Sequence, residues 1–285
     1  MYNNYDKEKA EQYWTKRVSE VNELRAVLSY RSPDYENSAY SQWELRLLVR
    51  ELGDVRGKTV LDVGCGVGRV TMELLKAGAR VTALDNSAKM LAITEEKVGE
   101  ASWTASFDAV KSNAAEIALP DSSYDVVVCV GLLEHLPRTV RIDTLNHLHR
   151  VVKPSGSIYL VVNNEHSMFL RHDDLYRMKV QKDDGYFVDI IGLDFIRDFY
   201  INQGAQVSVL GSNCLYSYLR HTLKMPGARD RTDRIAEELM RLATFADLNG
   251  SCNSETAKYV ADQFVVRIVK PGEVIKQSAI NGRKQ

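Results

Sequence analysis

Apolar residues recur at every third or fourth position through roughly the first fifty residues. Beyond them they fall in short solid runs separated by turns. In the first region, Tyr13, Trp14, Val18, Val21 and Leu24 share helical spacing. "RSPDYENS" (Arg31–Ser38) interrupts the pattern with Pro and Asp, and "AYSQWELRLLVREL" resumes it as a second helix. Residues 1–57 therefore read as a helical cap.

From Lys58 the pattern alternates. "VLDV" and "RVTALD" are short buried strands, and between them Val70, Leu74 and Ala77 mark a helix that Gly78 stops. Asn86 or Ser87 is placed to cap the helix carrying Met90, Leu91 and Val98. A weak strand covers Phe107–Ser112, and a strong one covers "YDVVVCV". The helix through Val140, Leu145, Leu148 and Val152 is expected to end at "KPSG", ahead of the strand "SIYLVV". After Val162 the period loosens. A helix from Asp194 to Asn202 leads through Gly204 to the strand "QVSVL". Residues 212–261 form an insertion with an amphipathic helix through Ile235, Leu239, Leu242 and Ala246, and "QFVVRIVK" is a last strand.

Strands alternating with helices across short turns require a mostly parallel sheet covered on both faces. The expected fold class is α/β, with an open, mostly parallel seven-stranded sheet, an N-terminal helical cap and insertions after strands five and six. Residues 58–163 form the core, 164–270 complete the domain and carry the insertions, and 271–285 make a polar, flexible tail.

Composition narrows the function. The chain has 285 residues, 45% hydrophobic and 26% charged, with net charge −1, which offers no broad basic footprint for nucleic acid. Cys65, Cys129, Cys214 and Cys252 form no CxxC pair and no cluster with histidine, so no metal site is expected, and free thiols in a reducing cytoplasm are the simplest reading. The charged start is no signal peptide, and Val126–Leu133 is too short an apolar run to cross a bilayer. A cytoplasmic protein with no membrane partner follows.

The informative stretch is "VLDVGCGVGRVT", Val60–Thr71. A strand, a glycine turn and a helix bring backbone N–H groups to the carboxyl edge of a parallel sheet, where ligands bind in such folds. A dinucleotide turn has G-x-G-x-x-G. Here Gly64, Gly66 and Gly68 are followed by Arg69 where the third glycine of that pattern would fall. Asp62, two residues before the turn, would repel a phosphate and attract an ammonium group. Asp85 closes the second strand, where a carboxylate accepts hydrogen bonds from a ribose diol.

"VLDVGCGVGRVT" and "VTALDNSAKML" resemble the first two signature motifs of class I S-adenosylmethionine-dependent methyltransferases. "NAAEIALPDSSYDVVVCVGLLEHL" and "VVKPSGSIYLVV" resemble the segments that follow in that family. The resemblance covers residues 58–163 and implies a Rossmann-like fold, with S-adenosylmethionine as donor and S-adenosylhomocysteine as product. Carried over by position, Asp62 faces the methionine amino group, and Gly64, Cys65 and Gly66 allow close approach, Cys65 as a small filler. Asp85 holds the ribose, while Asn86 and Met90 flank the adenine. Asn113 stands where the family often has an acidic residue for the adenine amino group, and Ala114 offers its backbone N–H. Val130 and Gly131 sit beside the sulfonium. Tyr13 and Arg17, with Trp14, cover the donor, Arg17 reaching its carboxylate.

For chemistry, His135 follows strand four, near the edge where the methyl group emerges, and a neutral imidazole there is suited to accept a proton. "EHSMFLRHDD" adds Glu165, His166, His172, Asp173 and Asp174 in the acceptor region, His166 being the second candidate base. The expected activity is methyl transfer to an oxygen or nitrogen of a small-molecule acceptor. The alternatives are a nucleic-acid or protein methyltransferase and a donor-binding protein without catalysis. The turn after strand four has "GLLEH" in place of the Asn/Asp-Pro-Pro-aromatic motif of DNA amino methylases. Tyr216, Tyr218 and His221 in "CLYSYLRHTLKM" line a lid, pack internally or serve as a homodimer surface.

Overall fold

The computed structural model describes residues 5–29, 32–170, 185–223, 233–250 and 254–272. His172, Asp173, Asp174 and nearly all of the tail from Pro271 lie outside them.

Three helices, α1 (Lys7–Glu20), α2 (Glu23–Val27) and α3 (Asp34–Leu52), precede the sheet. The Asp6 side chain caps α1 by accepting from the backbone N–H groups of Glu8 and Lys9. Within the interruption expected over Arg31–Ser38, helix is already present from Asp34 onward. Pro33 stands at the N-cap of α3, a position that needs no N–H donor, and the first turn begins at Asp34.

The seven strands are β1 (Thr59–Val63), β2 (Arg80–Asp85), β3 (Phe107–Lys111), β4 (Tyr124–Cys129), β5 (Val152–Asn163), β6 (Gln206–Ser212) and β7 (Gln263–Val269). Their order is β3-β2-β1-β4-β5-β7-β6. β1 to β5 pair in parallel, and β7 lies antiparallel between β5 and β6. Successive residues face opposite sides of the sheet, and each side has its own core. Leu61, Val127 and Leu160 pack with Leu145, Leu148, Ile196 and Tyr200. Val60, Val126 and Val161 pack with Trp43, Leu47 and Leu74. This two-sided burial explains the solid apolar runs.

The crossover helices are α4 (Arg69–Lys76), α5 (Ala88–Glu100) and α6 (Arg138–Val151), followed by α7 (Leu193–Ile201), α8 (Cys214–Leu223), α9 (Asp233–Leu248) and α10 (Ser254–Val260). Ser87, not Asn86, caps α5, its hydroxyl accepting from Met90 N–H. Gly78, at φ +86°, follows α4 as expected.

Three expectations need correction. "KPSG" does not separate a helix from a strand: β5 starts directly after Val151, and Lys153–Gly156 form an irregular bulge where the pairing with β4 slips, one of the few places a sheet tolerates proline. The apolar face expected on α9 is turned outward. Ile235 is 54% exposed and Leu242 63%, while Ala236, Met240, Ala243 and Asp247 are buried. Small side chains let α9 approach α3 closely, and Asp247 fixes its rotation by accepting from the backbone N–H groups of Leu215 and Tyr216 at the start of α8, both at 2.8 Å. Third, Cys214 is disulfide-bonded, while Cys65 and Cys129 are free and buried. Among the described residues, no helix is long and apolar enough to cross a membrane.

Candidate active site

The strand order reverses between β1 and β4, and a cavity opens at their carboxyl ends, where open α/β sheets bind ligands. It measures about 880 Å³ including its open mouth, within the range of small-molecule sites.

One wall is the turn after β1. Gly64, Gly66 and Gly68 have φ of +75°, +54° and +77°, left-handed conformations that carry strain for any residue with a Cβ. A Cβ on Gly68 would stand 2.7 Å from Thr94 Cγ2, and one on Gly64 would stand 2.9 Å from Leu132 Cδ2. Changing Gly68 to Ala combines left-handed strain with overpacking, and an expected loss of about 2–4 kcal/mol is measurable by urea denaturation.

Two carboxylates face this turn. Asp62, buried at the end of β1, accepts from Thr71 Oγ1 at 2.6 Å. Burial pushes its carboxyl up to about 6; the Thr71 hydroxyl and the Arg69 guanidinium oppose the shift, and Asp85 adds to it. Asp85 closes β2. Its Oδ2 accepts from Gly66 N–H and its Oδ1 from Ser87 N–H, each at 2.9 Å. Burial raises its proton affinity as well, and the backbone N–H groups work against that. Each oxygen retains lone-pair capacity for a further donor. Asn86 and Met90 continue the wall.

Cys65 also lines the cavity. Burial, with Asp85 and Asp62 nearby, raises its thiol well above the ordinary value, which makes it a small apolar filler and no nucleophile. Val130 and Gly131 come from the end of β4.

His135, in the short turn after β4, also lines the cavity. Its Nδ1 lies 2.9 Å from the Phe187 carbonyl oxygen. A carbonyl only accepts, so Nδ1 carries the hydrogen and Nε2 is left with its lone pair. Trp14 packs edge-on against the ring at 4.9 Å between centroids. Burial depresses the imidazole to about 4, so it is neutral at physiological pH. Its neighbour Glu134 is pushed up to about 7 by burial, with Glu44 adding to the shift and Arg141 opposing it.

The remaining expected residues do not line the cavity. Asn113 caps a short 3-10 turn, its Oδ1 accepting from Ala115 N–H at 2.9 Å, with Ala114 beside it inside that turn. Tyr5 stands at the cavity edge, its hydroxyl 3.5 Å from Asn113 Nδ2. Arg17 is not part of the lining and binds carbonyl oxygens of Arg25 and Leu28 and the Tyr13 hydroxyl. From α1 it is Ala10 and Trp14, with Val27 and Phe187, that roof the cavity.

His166 sits outside, 3.6 Å from Asp194 and 4.0 Å from Glu165. The three ligand atoms lie within 4.8 Å of one another. Arg197 already sits on Asp194 at 2.5 Å, and the Glu165 carboxylate abuts Gly192, the N-cap of α7, so the group has positive partners without an ion.

Sequence reasoning missed Tyr5, Phe187 and, most importantly, Arg69. It used Arg69 only to reject a dinucleotide turn, yet the side chain lines the cavity beside Asp62.

Residues 60–156 match the family model of a methyltransferase domain. These residues form a methyltransferase domain, the stretch whose motifs resemble those of class I S-adenosylmethionine-dependent enzymes. The ubiquinone biosynthesis O-methyltransferase of Pseudomonas paraeruginosa is 32% identical over 116 residues, covering 41% of this chain and 49% of that protein. The chain thus spans about half the length of that curated relative. The Vibrio campbellii protein of the same name is 27% identical over 209 residues, covering 63% and 83% of the two chains. Among solved structures, the magnesium protoporphyrin IX methyltransferase of Synechocystis with bound S-adenosylmethionine superposes with TM-score 0.59 at 16% identity, over 95% of this chain and all of that one. That likeness establishes the shared methyltransferase fold.

Proposed function

We propose that this chain transfers a methyl group from S-adenosylmethionine to a hydroxyl oxygen of a small molecule. The observation that carries the reading is one cavity lined by two buried carboxylates beside a glycine turn, Asp62 and Asp85, and by a neutral histidine, His135.

The residues fit the donor. Burial has raised the proton affinity of both carboxyls, which marks sites that gain from a cationic or hydrogen-donating ligand. Asp62 would take the ammonium group, the open lone pairs of Asp85 would accept from the ribose hydroxyls, and Met90 would pack on the adenine. Bound there, S-adenosylmethionine supplies a sulfonium-activated methyl group for in-line displacement. The chain's residues then align the acceptor and exclude water. A hydroxyl acceptor needs its proton removed, and His135 Nε2 is the group positioned to take it, with the Phe187 carbonyl fixing the ring. The Pseudomonas and Vibrio relatives are named O-methyltransferases, which supports oxygen over nitrogen and a small acceptor over a macromolecule. In this reading residues 1–57 cap the donor site, 58–163 bind the donor, and 164–270 complete the acceptor side.

Isothermal titration tests the donor half: micromolar binding of S-adenosylmethionine and S-adenosylhomocysteine is expected, and binding of neither overturns the proposal. Formation of S-adenosylhomocysteine with a panel of small phenols and alcohols tests the acceptor half.

A further inference from the structure

We propose that Arg69, held by Glu44 of the helical cap, reads the carboxylate of the donor's amino-acid end, so that Asp62 and Arg69 together clamp its two opposite charges. The inference rests on the reading of the cavity as an S-adenosylmethionine site.

Arg69 is the first residue of α4, directly after the left-handed Gly68, and it shares the cavity wall with Asp62. Its guanidinium is nearly enclosed, with 12% of the side chain exposed. Nη2 donates to Glu44 Oε2 at 2.5 Å and Nη1 donates to Ser41 Oγ at 3.1 Å. Glu44 is 1% exposed, and its other oxygen accepts from the Tyr40 hydroxyl at 2.8 Å. Both Glu44 oxygens therefore have partners, while the guanidinium has used two of its five N–H donors. Its planar fork suits a carboxylate. A buried ion pair contributes little net stability by itself, so its position on a ligand cavity calls for a ligand.

Charge balance gives the same answer. Asp62 and Asp85 are acidic, Glu44 is matched by Arg69, and among the described residues no other cationic side chain lines the cavity, His135 being neutral. A zwitterionic amino-acid end entering beside Asp62 needs one cation for its carboxylate, and Arg69 is the one present. Gly68, the N-cap of α4, offers no side-chain cap, so the first N–H groups of that helix add positive potential on the same side. Arg17 cannot serve, because it spends its donors on the carbonyls of Arg25 and Leu28.

The test compares S-adenosylmethionine with its decarboxylated analogue, which keeps the sulfonium and ammonium groups but lacks the carboxylate. The readout is the affinity ratio between the two ligands, a quantity that general loosening of the fold does not move. On Arg69→Met the ratio is expected to fall by roughly 10- to 100-fold, the worth of a charge-assisted hydrogen bond. Arg69→Lys should retain part of the ratio. Glu44→Gln, which acts through Arg69 as a positioning change, should lower it by a few-fold. A ratio unchanged in the folded Arg69→Met protein, or in Arg69→Lys and Glu44→Gln if the former does not fold, overturns the role of Arg69. Wild-type protein that binds neither S-adenosylmethionine nor S-adenosylhomocysteine overturns the reading of the cavity itself.

Discussion

Asp62→Asn is expected to make the ligand-free protein more heat-stable at pH 8 and to abolish its response to donor. The Asp62 carboxyl is buried and its folded-state value is raised from 3.8 to about 6. Between those two values the folded state holds the proton more tightly than the unfolded chain does. Stability therefore falls as pH rises through the window and levels off above it. At pH 8 the cost of keeping this carboxylate ionised is about 3 kcal/mol, from roughly two units at 1.36 kcal/mol each. Asparagine keeps an oxygen for Thr71 Oγ1 and carries no charge. Its melting temperature should exceed that of wild type by several degrees at pH 8, with the gap closing toward pH 4. Wild type should gain further on addition of S-adenosylmethionine, and Asp62→Asn should gain almost nothing, its affinity having dropped by roughly 100-fold. Differential scanning fluorimetry across pH, with and without donor, reads both effects. A variant less stable than wild type at pH 8, or one still stabilised by donor, refutes the assignment. The same titration predicts that wild-type donor affinity weakens below about pH 6, as Asp62 takes up its proton.

His135→Gln should lower kcat for a hydroxyl acceptor by roughly 100-fold or more, the usual share of a general base. The affinity for S-adenosylhomocysteine should stay within a few-fold. Glutamine retains much of the bulk against Trp14 and can still donate to the Phe187 carbonyl, so the roof stays in place while the lone pair of Nε2 is lost. Burial holds His135 near 4. The imidazole is a competent base across the neutral range, and its loss of activity on acidification belongs near that value, well below the ordinary histidine region. Single-turnover measurements across pH with a hydroxyl-bearing acceptor check both points. Near wild-type kcat in His135→Gln would assign the ring a positioning role for Trp14 and Phe187.

Much of the cavity lining was legible in the sequence because its parts are local. Asp62 and Asp85 end consecutive parallel strands, and Gly64, Gly66 and Gly68 make one turn, so their convergence follows from a single strand–turn–helix unit and its neighbour. Arg17 and Arg69 show where this stops. The partners of their donors separate the two arginines: the carbonyls of Arg25 and Leu28 take Arg17, whereas Glu44 and Ser41 leave Arg69 on the cavity. Asn113 falls outside the cavity lining for a similar reason, since nothing in its spacing reveals that Ala115 N–H bonds its oxygen. The rotation of α9 was set by Asp247, a polar residue that hydrophobic periodicity ignores. The identity of the strands followed from apolar runs that two cores bury from both sides. Their order, with β7 inserted antiparallel, required the assembled sheet.

That insertion has a consequence for synthesis. β7 pairs with β5 along one edge and β6 along the other, although Gln263–Val269 leaves the ribosome about fifty residues after β6 and about a hundred after β5. During that interval both older strands keep an unpaired edge, of the kind that recruits foreign strands. A nascent chain paused ahead of Gln263 already contains the whole glycine turn and both acidic residues, but its sheet is split between β5 and β6. Ribosome-bound intermediates of this protein are therefore expected to be clients of nascent-chain chaperones until the seventh strand arrives and joins the two halves.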